Sequence, residues 1–184
     1  MPFPPDTKLF GLAMIEAKTT GSLDTLIIDD FSKLRILDSK GSYVWSSSDR
    51  FGGTDNYYET KKKKIEPYSP ADSPAFRVYI PGRILVRDLD GDGINELIIN
   101  KNTSNTSMFE RAKTFEKGEV FDMVWDENTF VKNWQTREIS GYIADYQVRD
   151  VDNDGRDELV VAIVNPSTAF ERKRTSNIFF FKLP

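Results

Sequence analysis

One pattern occurs twice in this chain and constrains its fold more than any other feature. Val86-Arg87-Asp88-Leu89-Asp90-Gly91-Asp92-Gly93-Ile94-Asn95-Glu96-Leu97-Ile98-Ile99 is closely matched by Val148-Arg149-Asp150-Val151-Asp152-Asn153-Asp154-Gly155-Arg156-Asp157-Glu158-Leu159-Val160-Val161. Each copy reads apolar strand, then Asp-x-Asp-x-Asp-Gly-x-x-Glu, then apolar strand. Alternate positions of a tight turn aim carboxylates at one point. Hard cations take several oxygen donors at short range, so the pattern points to Ca²⁺. The Gly lets the backbone fold back without a Cβ clash. A pair of unit charges about 4 Å apart costs roughly 1 kcal/mol in water and about 4 kcal/mol at an effective dielectric of 20. Without a cation, such a loop is expected to open or to take up protons. Mg²⁺ suits it less, because that ion demands a tighter octahedron and keeps its waters.

Two other readings fit part of the loop. An EF-hand needs a Glu at the twelfth position and flanking helices. That position is Ile99 in one copy and Val161 in the other, both strand residues, so the EF-hand is rejected. An Asx-type turn with no ion is the plain alternative, and the repetition of the whole pattern weighs against it.

The two copies begin 62 residues apart, and their likeness extends past the loops. Phe109-Glu110-Arg111-Ala112-Lys113 follows the first and Phe170-Glu171-Arg172-Lys173-Arg174 the second. Self-similarity at such a period signals stacked structural units. A decayed third copy runs from Glu16 to Asp24, aligned on Asp88 to Glu96. Lys18 and Thr20 replace two of its carboxylates, so no metal is expected there.

Strands are expected nearly throughout, in three units. The first holds Leu9–Ala17, Thr25–Asp29, Lys33–Asp38 and Tyr43–Ser47. The second holds Arg83–Asp88, Glu96–Asn100, Val120–Trp125 and Phe130–Arg137. The third holds Tyr142–Asp150, Glu158–Val164 and Asn177–Leu183. Turn signals such as Asp38-Ser39-Lys40-Gly41 separate them. Leu159 to Val164 is apolar on both faces and calls for a layer on each side. Residues 51–82, with Gly52-Gly53, the run Lys61–Lys64 and Pro67, Pro70 and Pro74, read as a long solvated loop.

The two loops between apolar strands resemble the FG-GAP/VCBS repeats of integrin-α-like β-propellers. Trp45-Ser46-Ser47-Ser48 with Phe51-Gly52-Gly53, Arg83 to Asp88, and Ile139-Ser140-Gly141-Tyr142-Ile143-Ala144-Asp145-Tyr146 are similar to the C-terminal blades of bacterial VCBS-repeat proteins of unknown function. The resemblance implies an all-β chain of propeller-type blades, about three four-stranded antiparallel sheets at roughly 9–50, 83–138 and 142–183, forming a partial or open propeller. It implies Ca²⁺ between the first two strands of a blade, held by Asp88, Asp90, Asp92, Glu96 and the carbonyl of Ile94, and by Asp150, Asp152, Asp154, Glu158 and the carbonyl of Arg156. The family often has Asp at the ninth position, where Glu here reaches one methylene further. It also implies a periplasmic, cell-surface or secreted location. Propellers have roughly four to eight blades, so the remaining blades are expected in a longer chain or in a second copy.

Composition excludes several classes. With Cys and His both absent, disulfides, thiolate sites, a Ser-His-Asp triad and His-bearing zinc sites are ruled out. Of the 29 acidic residues, eight fall in the two loops at the proposed ligand positions, leaving 21 against 25 bases. That remainder is too weakly basic to suggest nucleic acid. No apolar run is long enough to span a membrane. The start, Met1 to Asp6, has no charged or apolar signal region, so any export signal would lie outside this chain. Asn102-Thr103-Ser104 and Asn105-Thr106-Ser107 fit the N-glycosylation pattern. Trp45, Trp125 and Trp134 suit either sugar stacking or packing. A calcium-stabilised module that binds a protein or a glycan is the preferred reading. A fragment of a propeller-based polysaccharide lyase or hydrolase is the alternative, and no catalytic constellation stands out to support it.

Overall fold

The computed structural model describes residues 3–4, 7–18, 22–60, 76–104, 115–165 and 175–183. A 3-10 turn, Leu9–Gly11, precedes fourteen strands: β1 Leu12–Lys18, β2 Ser22–Ile28, β3 Lys33–Leu37, β4 Tyr43–Arg50, β5 Tyr57–Thr60, β6 Phe76–Tyr79, β7 Leu85–Arg87, β8 Glu96–Thr103, β9 Lys117–Asp126, β10 Thr129–Gln135, β11 Ile139–Ser140, β12 Tyr142–Arg149, β13 Glu158–Val164 and β14 Ser176–Lys182. The described residues form an all-β arrangement with four antiparallel sheets. Sheet I is the meander β1-β2-β3-β4. Sheet II is β10-β9-β8-β7, with β11 also paired to β9. Sheet III is β12-β13-β14, and β5-β6 form a separate hairpin.

Sheets I to III each come from one stretch of chain, with neighbouring strands consecutive in sequence apart from β11 beside β9. The Asp38–Gly41 turn shows how the sequence sets a connection between two of them. Gly41 adopts φ 82°, and Asp38 accepts the amides of Lys40 and Ser42 at 2.9 Å each. The β5-β6 hairpin lies inside the stretch expected to be loop. Its strands have four residues each and flank the lysine run and the prolines, which hid their pairing. The lysine run itself, Pro67, Pro70, Pro74, the Asn105 glycosylation triplet and both Phe-Glu-Arg segments lie outside the described residues.

Two apolar layers hold the three sheets together. Ile15, Leu26, Ile28, Leu34 and Ile36 of sheet I pack with Leu97, Ile99 and Met123 of sheet II. Ile98, Val120 and Ile139 of sheet II pack with Ile143, Tyr146, Val148, Leu159, Val161 and Ile163 of sheet III. β8 therefore alternates between two cores, Leu97 and Ile99 on one face and Ile98 on the other. That explains a strand apolar at every position from Leu97 to Ile99. Burying each such side chain contributes about 1.5–3 kcal/mol.

β13 departs from the expectation of a layer on each side. Leu159, Val161 and Ile163 are fully buried, whereas Val160, Ala162 and Val164 are half-buried. On the same outer face Ile178 and Phe180 of β14 are 63% and 58% exposed. Sheet III is the last layer among the described residues.

Polar contacts align the layers. The Tyr146 hydroxyl reaches the carbonyls of Arg83 and of Ile98, the latter at 3.2 Å. Arg83 forms a two-point ion pair with Asp145, both contacts 2.6 Å. Asn102 donates to the carbonyls of Gly53 and Ile143 at 2.5 and 2.9 Å and accepts the Ile143 amide at 2.9 Å. Its side chain is thus spent on joining sheets, and a glycan on Asn102 would have to break that junction. The tryptophans pack too: Trp45 meets Trp125 edge-on at 5.8 Å, and both meet Phe130. Trp134 lies against the sheet II–III core.

Candidate metal centres

Strand register fixes where each acidic loop begins and ends. In sheet II, Arg87 of β7 pairs with Glu96 of β8. In sheet III, Arg149 of β12 pairs with Glu158 of β13. The decayed copy keeps the rule, with Ile15 of β1 opposite Asp24 of β2. In each case the residue before the first acid faces the last acid, so the loop closes at the same place in three successive sheets. Residues 19–21 of the third loop lie outside the described set.

The two complete loops share one backbone conformation. Gly91 and Asn153, the fourth positions, take φ 81° and 60°, while Gly93 and Gly155, the sixth, take φ 89° and 86°. Asn is the non-glycine residue that best tolerates the left-handed region, which is why it can stand in for Gly91 in the second copy.

Internal hydrogen bonds are also reproduced. The Asp88 carboxylate accepts the amides of Gly91 and Gly93 at 2.7 and 3.0 Å, and Asp150 those of Asp154 and Gly155 at 3.2 and 3.0 Å. Asp90 and Asp152 accept from the residue two positions on, both at 3.1 Å. Asp92 accepts from Ile94 at 2.7 Å and Asp154 from Arg156 at 2.9 Å. The closing Glu reaches back across the loop: Glu96 accepts the Leu89 amide at 2.6 Å, and Glu158 the Val151 amide at 3.0 Å.

This wiring gathers the carboxylates. Asp88, Asp90, Asp92 and Glu96 place one oxygen each within 4.8 Å of one another, as do Asp150, Asp152 and Glu158. These two groups can hold a metal ion. Asp154, expected as a ligand, is not gathered with the second group, although it accepts the Arg156 amide just as Asp92 accepts that of Ile94. The amides of Ile94 and Arg156 serve Asp92 and Asp154. The oxygen-only donor set suits a hard cation and offers nothing soft for zinc or copper.

Burial makes the first centre electrostatically demanding. Glu96 is 2% exposed, and its carboxyl is pushed above its ordinary range first by desolvation and then by the charges of Asp90 and Asp92, against the lowering effect of the Leu89 amide. Asp122, in the middle of β9, is 1% exposed. Desolvation pushes it up to about 6, opposed by a hydrogen bond from Asn133 and reinforced by Glu96 and Asp90. Asn133 Nδ2 donates to Asp122 Oδ2 at 3.0 Å, while the buried Oδ1 has no hydrogen-bond partner. The sequence carried a signal for Asp122: it is the one charged residue inside the apolar run Val120 to Trp125.

The two loops sit side by side. Arg87, before the first loop, forms an ion pair with Asp157 of the second. Beside the second centre is an open depression of about 410 Å³ lined by Val151, Asp152, Glu158, Phe180 and Lys182. Lys182 is directly opposite Glu158 in the sheet III register. Neither protein-family models nor curated proteins give a match to the chain.

Proposed function

We propose that this chain is a propeller-type repeat module of the FG-GAP/VCBS kind whose two acidic loops bind Ca²⁺, and that it serves as a structural and binding domain for a protein or glycan partner outside the cytoplasm. One observation carries this reading. The same loop, with the same left-handed positions and all but one of the same hydrogen bonds, closes the first strand pair of two successive sheets and gathers carboxylate oxygens within 4.8 Å in both. The ligands would be Asp88, Asp90, Asp92 and Glu96 with the Ile94 carbonyl, and Asp150, Asp152, Asp154 and Glu158 with the Arg156 carbonyl. Asp154 can keep the Arg156 amide and still join its set, as Asp92 does while accepting the Ile94 amide. The ion's role is to screen the clustered charge and lock the turn, so that binding free energy becomes folding free energy.

A binding role is preferred over the propeller-enzyme alternative because the acids and bases of an open cleft among the described residues are already paired. That cleft, about 310 Å³, includes Lys8, Asp29, Asp30 and Arg77. Lys8 pairs with Asp30, Arg35 with Asp29, and Arg77 with Glu59. No unpaired acid–base couple among them is left for catalysis.

Thermal melts with and without chelator test the structural role of the metal. Two sites held at a hundredfold over their Kd contribute about 2.7 kcal/mol each, which for a domain of this size raises Tm by roughly 10–20 °C. Chelation is expected to lower Tm by about that much and added calcium to restore it. A melting curve unchanged by chelator contradicts the reading.

A further inference from the structure

We propose that Asp122, on the third strand of sheet II, backs the first centre as a fifth carboxylate, behind the four whose oxygens lie within 4.8 Å of one another, and makes that centre the tighter of the two. The inference rests on the proposed cation-binding reading and extends it to a residue outside the loop motif.

Register gives the placement. Asp122 of β9 is directly opposite Ile98 of β8, and Ile98 is two residues beyond Glu96. Successive side chains alternate between sheet faces, so Glu96, Ile98 and Asp122 share the face turned toward sheet III. Asn133 holds one Asp122 oxygen from β10 and thereby orients the carboxylate. The other oxygen is sealed from solvent without a hydrogen-bond donor. The charges that act on it are those of Glu96 and Asp90, both negative. A carboxylate buried in this way either takes up a proton or needs a positive charge beside it. A divalent ion among the loop carboxylates supplies one on the side where Glu96 and Asp90 lie.

The other sheets lack the feature. The position two beyond Glu158 is Val160, and its partner on β14 is Phe180. Two beyond Asp24 is Leu26, opposite Ile36 of β3. Sheet III places Lys182 opposite Glu158 instead, so its centre faces a basic group where the first faces an added acid. The loops are alike and their third strands are not, so the two affinities should separate.

Calorimetric titration of the full chain with calcium, for the wild type, Asp122→Asn and Asn133→Ala, tests this. The expected result is two unequal sites in the wild type. Asp122→Asn should weaken the tighter one roughly 10- to 100-fold and leave the looser one unchanged. Asn133→Ala, which keeps the charge but frees its orientation, should weaken the same site by a smaller factor. In chelator, Asp122→Asn should melt above the wild type, because it removes an uncompensated buried charge; a residue needed only for packing would move Tm down. Two wild-type sites with neither affinity altered by Asp122→Asn would overturn this proposal alone. So would a lower chelator-state Tm with both sites weakened. A wild type that binds no calcium would overturn the underlying cation-binding reading, and this one with it.

Discussion

A buried carboxylate with only one hydrogen bond has a measurable signature in pH. Asp122 titrates at about 6 in the fold against an ordinary 3.8, chiefly through desolvation. Between those values the folded, cation-free chain keeps a proton that the unfolded chain has released. Stability from this group is therefore fully present below the ordinary value and falls as pH rises through about 6. The loss over that window is on the order of 2–3 kcal/mol. Urea melts in chelator at both ends of the window are expected to show it in the wild type. Asp122→Asn should lose less stability than the wild type over the same window by about that amount. Equal pH slopes for the two proteins would mean that Asp122 is not held in a charge-averse site. Glu96 is shifted in the same direction, again mainly by desolvation, so its contribution has the same sign.

At the scale of the loop, backbone geometry divides the glycines into two kinds. Gly91 and Gly93 both have left-handed φ, and a Cβ at either would meet no atom within 4 Å. Any cost of substitution is therefore conformational rather than steric. Gly93→Ala should cost about 1–2 kcal/mol. Gly91→Asn should stay within about 0.5 kcal/mol, because the second loop already carries Asn153 there at φ 60°. Paired denaturation curves check the difference, and equal losses would show that the two loops do not share a conformation.

The strands of sheets I to III were legible because their apolar runs are bounded by turn residues and acidic loops such as Asp38 to Gly41 and Asp88 to Glu96. The β5-β6 hairpin was not: Tyr57 to Thr60 and Phe76 to Tyr79 are brief, mixed in polarity and far apart in sequence, so only three-dimensional pairing identifies them. The two acidic groups were likewise legible as a motif. Asp122 stands out in sequence as the charged residue of an apolar run, but the relation of Asp122 and Asn133 to Glu96 was not legible, because it depends on the register of three strands. Asn102 shows the same limit: its triplet reads as a glycan acceptor, whereas its amide joins the β8 strand to Gly53 and Ile143.

For the whole molecule, the three sheets form a stack with two apolar layers, and the acidic loops close the first strand pairs of its second and third sheets. The Arg87–Asp157 ion pair links the loops, but at 48% and 27% exposure it is worth no more than about 1 kcal/mol. The main coupling between sheets II and III is the apolar layer around Ile98, Leu159 and Val161 together with the buried Tyr146 hydroxyl. Ions at the loops would add to that by relieving repulsion where the layers end. The exposed Ile178 and Phe180 leave the outer face of sheet III more apolar than an ordinary solvent-facing sheet.

The most direct measurement is a crystal structure of the chain grown in millimolar calcium. The account expects one ion among Asp88, Asp90, Asp92 and Glu96 and another among Asp150, Asp152 and Glu158, with oxygen contacts at about 2.3–2.6 Å. Well-ordered loops holding only water between those side chains would contradict it.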